Sequence, residues 1–208
     1  FLILNFFNLL LQKFTNMITI LKQQEIMSLC GIKSAIHSFD QKFCSIVNRH
    51  TQAWGVFQYV MALFASAFNN KQALLLWGCV LWHLPLNPSS IFACVGLPAL
   101  TLILTLVSKK AISRPRPEAC SKRTEILKYN LRGIEKNHSM PSGDSAQAAL
   151  FWSFLHLNFE FPLWVCFIMT LSTMFSRIYY MCHFPSDTVI GAILGTLLAI
   201  IYTNHIML

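Results

Sequence analysis

Three side chains that could do chemistry together fall in the single stretch Ser176-Arg177-Ile178-Tyr179-Tyr180-Met181-Cys182-His183-Phe184-Pro185-Ser186-Asp187. Arg177 offers a fixed cation, His183 a nucleophile or base, and Asp187 a carboxylate. If a helix begins near Pro185, one turn brings the Asp187 carboxylate within reach of the His183 ring. Such a bond would fix the tautomer and leave the other ring nitrogen free to attack. The same residues also describe a loop with an uncommitted His and a helix-capping Asp, and on this stretch alone both readings stand.

Two upstream stretches carry matching chemistry. In Lys109-Lys110-Ala111-Ile112-Ser113-Arg114-Pro115-Arg116-Pro117, cations gather at the end of an apolar run, as a phosphate site or a lipid-headgroup anchor would require. In Ser139-Met140-Pro141-Ser142-Gly143-Asp144-Ser145-Ala146, Gly143 permits close backbone approach, and the amides of a helix start can hold an anion. Asp144 sits among those amides, where a carboxylate is also an ordinary helix cap.

The elements that must position these residues are apolar. The 208 residues are 55% hydrophobic and only 12% charged, about half the charge of an average soluble domain, and we expect an integral membrane protein. Six candidate spans run from Gln52 to Phe68, Gln72 to Leu86, Ser90 to Val107, Ser145 to Phe159, Phe161 to Phe175 and Thr188 to Thr203. Several fall short of the ~20 residues that a bilayer asks for. The expected fold is all-α, a polytopic membrane helical bundle of six transmembrane helices preceded by N-terminal amphipathic helices. Residues 1–50 form the interfacial segment and residues 51–208 the membrane domain.

Within the N-terminal part, Phe1 to Leu21 is a poor span and a fair interfacial helix. Ile36, Phe39, Phe43, Ile46 and Val47 share one helical face opposite Asp40, Gln41 and Lys42, which suits a helix on the membrane surface or one packed on the spans. The sequence opens on Phe1 rather than Met, so no targeting peptide is judged from it. Pro98 should kink the third span, and Gly191 with Gly195 gives the sixth a small-residue packing face. The seven cysteines have no paired spacing, so neither a disulfide framework nor a zinc site is expected.

Counting crossings assembles the site by topology. The turn at Asn69 to Lys71, the loop from Ser108 to Met140 and the stretch from Ser176 to Asp187 should all emerge on one face. That face carries most of the cations behind the net charge of +8, and read as positive-inside it is cytosolic.

Together the three stretches resemble the type-2 phosphatidic acid phosphatase and vanadium haloperoxidase superfamily. Lys109 with Arg116-Pro117 fits its first motif, and Pro141-Ser142-Gly143 begins its second. Ser176-Arg177, His183 and Asp187 complete its third. The resemblance implies a phosphate pocket in which Lys109, Arg116 and Arg177 hold the oxygens beside Ser142 and the Gly143 amide. It further implies that His183 attacks phosphorus to form a phosphohistidine while Asp187 holds its ring. Three fixed cations would neutralise the charge that spreads over the transferring group, so no metal and no cofactor are expected. A chain this apolar offers no aqueous vanadate site for a haloperoxidase.

The departure is Asp144, which stands where the family has a His that protonates the leaving group. General acid catalysis contributes about 10²- to 10⁴-fold, and an Asp of ordinary pKa, about 3.9, is an anion at neutral pH. His138 in the same loop is one conceivable substitute, and a buried, protonated Asp144 another. The phosphate leaving a diphosphate has a second pKa of about 6 and needs an acid least. Polyprenyl-type diphosphates are therefore favoured over phosphatidate, with the bilayer housing the tail. The alternative is a catalytically silent member that binds phospholipid or serves as a subunit of a larger membrane assembly. We expect a multi-pass protein of the endoplasmic reticulum or another organelle membrane, with no nucleic-acid partner. Asn137-His138-Ser139 matches a glycosylation pattern, but it lies too near the Pro141 helix start and is read as chance.

Overall fold

The computed structural model describes residues 12, 16, 29–50, 55–118, 129–134 and 137–206, and among them every regular element is helical. The chain divides into two units, Phe1–Asp40 and Gln41–Leu208. Apart from Gln12 and Asn16, the interfacial segment expected for Phe1 to Leu21 lies outside the described residues.

Helix α1 (Leu29–His50) crosses the division between the units. Ile36 and Phe39 are exposed on its first part, while Asp40, expected on the polar outer face, is buried. On its last turns Cys44 and Val47 enter a core cluster with Met61, Ala65, Ile178 and Tyr179, whereas Ile46 is exposed. The expected single apolar face is therefore split, because packing claims one side of the helix and leaves the other outward.

The remaining helices are α2 (Gly55–Ala67), α3 (Asn70–Trp82), α4 (Pro88–Ile112), the short α5 (Leu131–Ile134), α6 (Gly143–Phe159), α7 (Leu163–Tyr179) and α8 (Pro185–Ile206). The six candidate spans correspond to α2, α3, α4, α6, α7 and α8. Of these, α4 and α8 are long and apolar enough to cross a membrane by length and composition. Both begin earlier than expected, and each has a proline at or near its first helical position, where the missing N–H costs nothing. The start of α4 is further fixed by Asn87, whose Oδ1 accepts from the Ser90 amide at 2.7 Å.

Pro98 leaves a mark of a different kind from a simple kink. The turn before it, Phe92–Gly96, is widened into a π-helix in which the Leu97 amide reaches back to the Phe92 carbonyl. The carbonyl of Pro98 itself accepts a hydrogen bond from Gln147 on α6.

Helix α6 lies at the centre, packed against α8, α7 and α4, with α8 its most extensive partner. The two glycines of α8 set that contact. A Cβ at Gly191 would come 2.3 Å from the Ser142 carbonyl oxygen, and one at Gly195 would come 2.0 Å from that of Ala146. The two backbones touch, as small-residue helix pairs allow. Gly195→Ala should therefore destabilise the bundle by about 1–3 kcal/mol or more, read as a lower unfolding temperature in detergent. Gly78→Ala, where a Cβ would meet nothing within 4 Å, should be neutral or slightly stabilising. Equal effects from the two would refute the close contact.

Outward from this core, Leu74, Leu75, Trp82, Leu163, Trp164 and Phe167 are all exposed. Large apolar side chains of this kind on several helices form the surface a bilayer would cover.

Candidate active site

The helix ends expected to share one face do meet. The Ser139 amide donates to the Arg114 carbonyl at 2.9 Å, and the Ser142 amide to the Asp187 carbonyl at 3.0 Å. Arg177 Nη1 donates to the Ala65 carbonyl, near the end of α2, at 3.3 Å. Between these ends lies a cavity of about 240 Å³ whose wall includes Lys109, Gly143, Asp144, Gln147, Arg177 and His183. That volume is enough for a phosphate-sized group.

His183, in the loop between α7 and α8, is buried, and its Nδ1 lies 2.7 Å from the Ser139 carbonyl oxygen. A carbonyl oxygen only accepts, so Nδ1 carries the proton and Nε2 keeps its lone pair. Arg116 Nη1 approaches that lone pair at 3.3 Å. Burial first, and then the charges of Arg177, Arg116 and Lys109, hold the His183 pKa well below the ordinary imidazole value against a smaller opposing effect of the Ser139 bond. The ring is neutral, as a nucleophile must be. Because the lowered pKa keeps the ring neutral as pH falls, kcat/KM should show no acid limb near the ordinary imidazole value of about 6.5. A pH–rate profile with such a limb would show that His183 titrates normally.

Asp187 does not hold the ring directly, contrary to the sequence expectation. Its Oδ2 is 3.9 Å from His183 Nδ1, beyond hydrogen-bond reach. That oxygen instead accepts from the Phe184 amide at 2.9 Å and from the Ser139 hydroxyl. The bond to Phe184 is the backward half of a capping box, set by the position of Asp187 in the first turn of α8. Ser139 thus bridges the pair, holding His183 by its carbonyl and Asp187 by its hydroxyl. Arg114 completes the arrangement, with Nη1 at 2.8 Å from Asp187 Oδ1 and 2.6 Å from Ser186 Oγ and its guanidinium over the Phe184 ring.

The expected phosphate ligands divide into two groups. Lys109, Arg177 and Gly143 line the cavity. A Cβ at Gly143 would meet only Thr105 Oγ1, at 3.8 Å, so any need for glycine there comes from what enters the cavity. Ser142 is buried behind the wall, where its hydroxyl caps α6 and accepts from Ser145 Oγ at 2.9 Å. Its side chain serves the helix rather than the cavity. Arg116 also stands behind the wall, donating to the carbonyls of Asn137 at 2.7 Å and Cys182 at 2.6 Å. It ties the loops together and reaches the site through His183.

Asp144 lines the cavity and forms an ion pair with Arg177, Nη2 to Oδ2 at 3.0 Å. Arginine brings only donors, so the bonded carboxylate oxygen is held as an acceptor. His138 is exposed and does not line the cavity, while its carbonyl accepts from Arg116. Three residues with clear roles were not singled out from the sequence: Ser139, Arg114 and Gln147. The signal for Gln147 was present, a lone polar side chain in the apolar run that follows Gly143.

Fold and site together define a bundle of apolar helices with a cavity between helix ends that is lined by Lys109, Arg177, His183 and Asp144. The chain belongs to the PAP2 superfamily, whose family model matches residues 90–207. Its fold is similar to that of the first transmembrane PAP2 type phosphatidylglycerolphosphate phosphatase from Bacillus subtilis, with a TM-score of 0.66 and 19% identity over 92% of this chain and 93% of that one. It is also similar to Aquifex aeolicus LpxE, with a TM-score of 0.56 and 22% identity over 78% of this chain and 93% of that one. Among curated protein sequences there is no match.

Proposed function

We propose that the chain is a membrane-embedded, metal-independent phosphatase that hydrolyses a lipid phosphate, with polyprenyl-type diphosphates preferred, through a phosphohistidine at His183. The observation that carries this reading is the His183 tautomer: with Nδ1 bonded to a carbonyl, the unprotonated Nε2 belongs to a ring lining a pocket with Lys109 and Arg177. Attack by Nε2 on phosphorus displaces the leaving group, and water then releases phosphate. Lys109 and Arg177 stabilise charge on the transferring oxygens, and Arg116 can exchange its contact with Nε2 for one of them. Six membrane crossings by α2, α3, α4, α6, α7 and α8 would place the pocket at the head-group level. We assign the protein to the endoplasmic reticulum on the lipid-phosphate reading, which microscopy of the tagged chain can test.

The preference for diphosphates rests on Asp144, since an ionised carboxylate bonded to Arg177 supplies no proton to a poor leaving group. The same ion pair favours a second reading, a silent phospholipid-binding member or structural subunit, because one pocket cation is already matched. Phosphate release by the purified protein, with a lipid monophosphate and a lipid diphosphate in parallel, separates the two. Hydrolysis of the diphosphate supports the first reading, and no release from either substrate supports the second.

A further inference from the structure

Gln147 belongs to none of the three motifs, yet its side chain lines the cavity one helical turn beyond Gly143 and Asp144. It is 6% exposed. Its Nε2 donates to the Pro98 carbonyl at 2.8 Å, and because that oxygen only accepts, the amide has one possible orientation. The other end, Oε1, is buried and has no hydrogen-bond partner within the protein. An orphaned acceptor in such surroundings costs about 1–3 kcal/mol, and buried ones are few enough in native proteins that each calls for a reason. Beside it on the same face of α6 stands the carboxylate of Asp144, with one oxygen bonded to Arg177. A wall with two acceptors is unusual in a pocket for an anion, since a fully deprotonated phosphate brings only acceptors of its own.

We propose that this pocket binds a phosphoryl group that still carries one proton, and that Gln147 Oε1 accepts the hydrogen bond from its P–OH. The inference rests on the phosphate-pocket reading above and specifies the form of phosphate the pocket takes. Lys109 and Arg177 attract the negative oxygens, while Gln147 and Asp144 receive the donor and repel a dianion. The charged and titratable groups around the cavity are Lys109 from α4, Asp144 from α6, Arg177 from α7 and His183 from the α7–α8 loop, with Arg116 behind His183. His183 is held neutral, so near neutral pH the proton that titrates is the ligand's own. As His183 Nε2 bonds to phosphorus, the P–O bond breaks with its electron pair on the departing oxygen, which takes a proton from water, while the P–OH stays on the transferred phosphoryl group and keeps its bond to Gln147.

Binding of methyl phosphate and of methyl sulfate to the full chain in detergent, followed by calorimetry from pH 5 to 8.5, tests this. Methyl sulfate has the same shape and the charge of the singly protonated methyl phosphate, and it carries no proton in that range. Methyl phosphate affinity should fall about tenfold per pH unit above its second pKa of about 6, where the last P–OH proton is lost, whereas methyl sulfate should bind weakly and independently of pH. In Gln147→Met the preference for methyl phosphate over methyl sulfate should shrink about tenfold, with methyl sulfate binding retained as the sign of an intact pocket. The proposal falls if methyl phosphate binding is independent of pH or strengthens as pH rises, or if the Met variant keeps the full preference. It also falls if that variant loses both anions, which would make Gln147 a structural residue. A wild-type protein that binds neither anion at any pH would overturn the phosphate pocket itself, and this proposal with it.

Discussion

His183→Ala is expected to lower turnover by about 10⁴-fold or more, the usual scale for loss of a nucleophile. It should also remove from protein quenched in alkaline detergent a phosphoryl group that is stable in base and labile in acid. The expectation follows from the ring's surroundings. With Nδ1 tied to the Ser139 carbonyl and the pKa held low by burial and three cations, Nε2 is unprotonated, and the ring shares its cavity with Lys109 and Arg177. Lys109 and Arg177 remain in the variant, so inorganic phosphate should still bind. Retained binding with lost turnover assigns His183 to the chemical step. Turnover that survives the substitution would remove the covalent mechanism, whatever the trapping experiment shows.

Asp144→His is the second large effect, and here activity should rise. The substitution adds an acid whose unperturbed pKa is about 6.5 and removes the carboxylate now bonded to Arg177 at 3.0 Å. Monophosphate kcat should increase by about 10²-fold, the lower end of the usual worth of a general acid, and diphosphate kcat should change little, because its leaving group has a second pKa of about 6 and needs less help. Asp144→Asn separates the two components. It releases Arg177 without supplying an acid, so it should lower KM for both substrates and give no selective gain in kcat. An equal kcat gain on both substrates in Asp144→His would show that the leaving-group argument is wrong. Inactivity of wild type and both variants is the outcome for a silent member.

The sequence resolved the fold where single apolar runs were decisive and lost detail where neighbours compete. All six apolar helices lie at their expected segments, since each run is bounded by polar or proline-containing turns. Their starts were placed too late at Pro88 and Pro185, where the cap sits outside the apolar run. The apolar face of α1 could not be assigned from its own residues, because burial of Cys44 and Val47 depends on the surfaces of α2 and α7. At the site, the crossing count placed the loops on one face and the family resemblance implied a shared pocket, and Lys109, Gly143, Asp144, Arg177 and His183 do line one cavity. It failed where one side chain had several possible partners. Asp187 was expected on the imidazole and is bonded to a backbone amide and to Ser139, and Ser142 was expected on phosphate and caps its own helix. Ser139 holds His183 through a backbone carbonyl, a group that every residue has and no motif can reveal.

The contact of α8 with α6 at Gly191 and Gly195 has a consequence for how the cavity can adapt. Two backbones in contact, with the Ser142 amide also bonded to the Asp187 carbonyl, act as one solid piece carrying Asp144, Gln147 and the loop of His183. The cavity therefore has one fixed jaw. The end of α7 belongs to the same piece, since the Arg177 carbonyl accepts from the Cys182 and His183 amides, so any widening falls to the ends of α2 and α4, where Arg177 reaches the Ala65 carbonyl across a long 3.3 Å bond. On that side the wall also includes Ser66, Asn69 and Leu106, which belong to none of the three motifs.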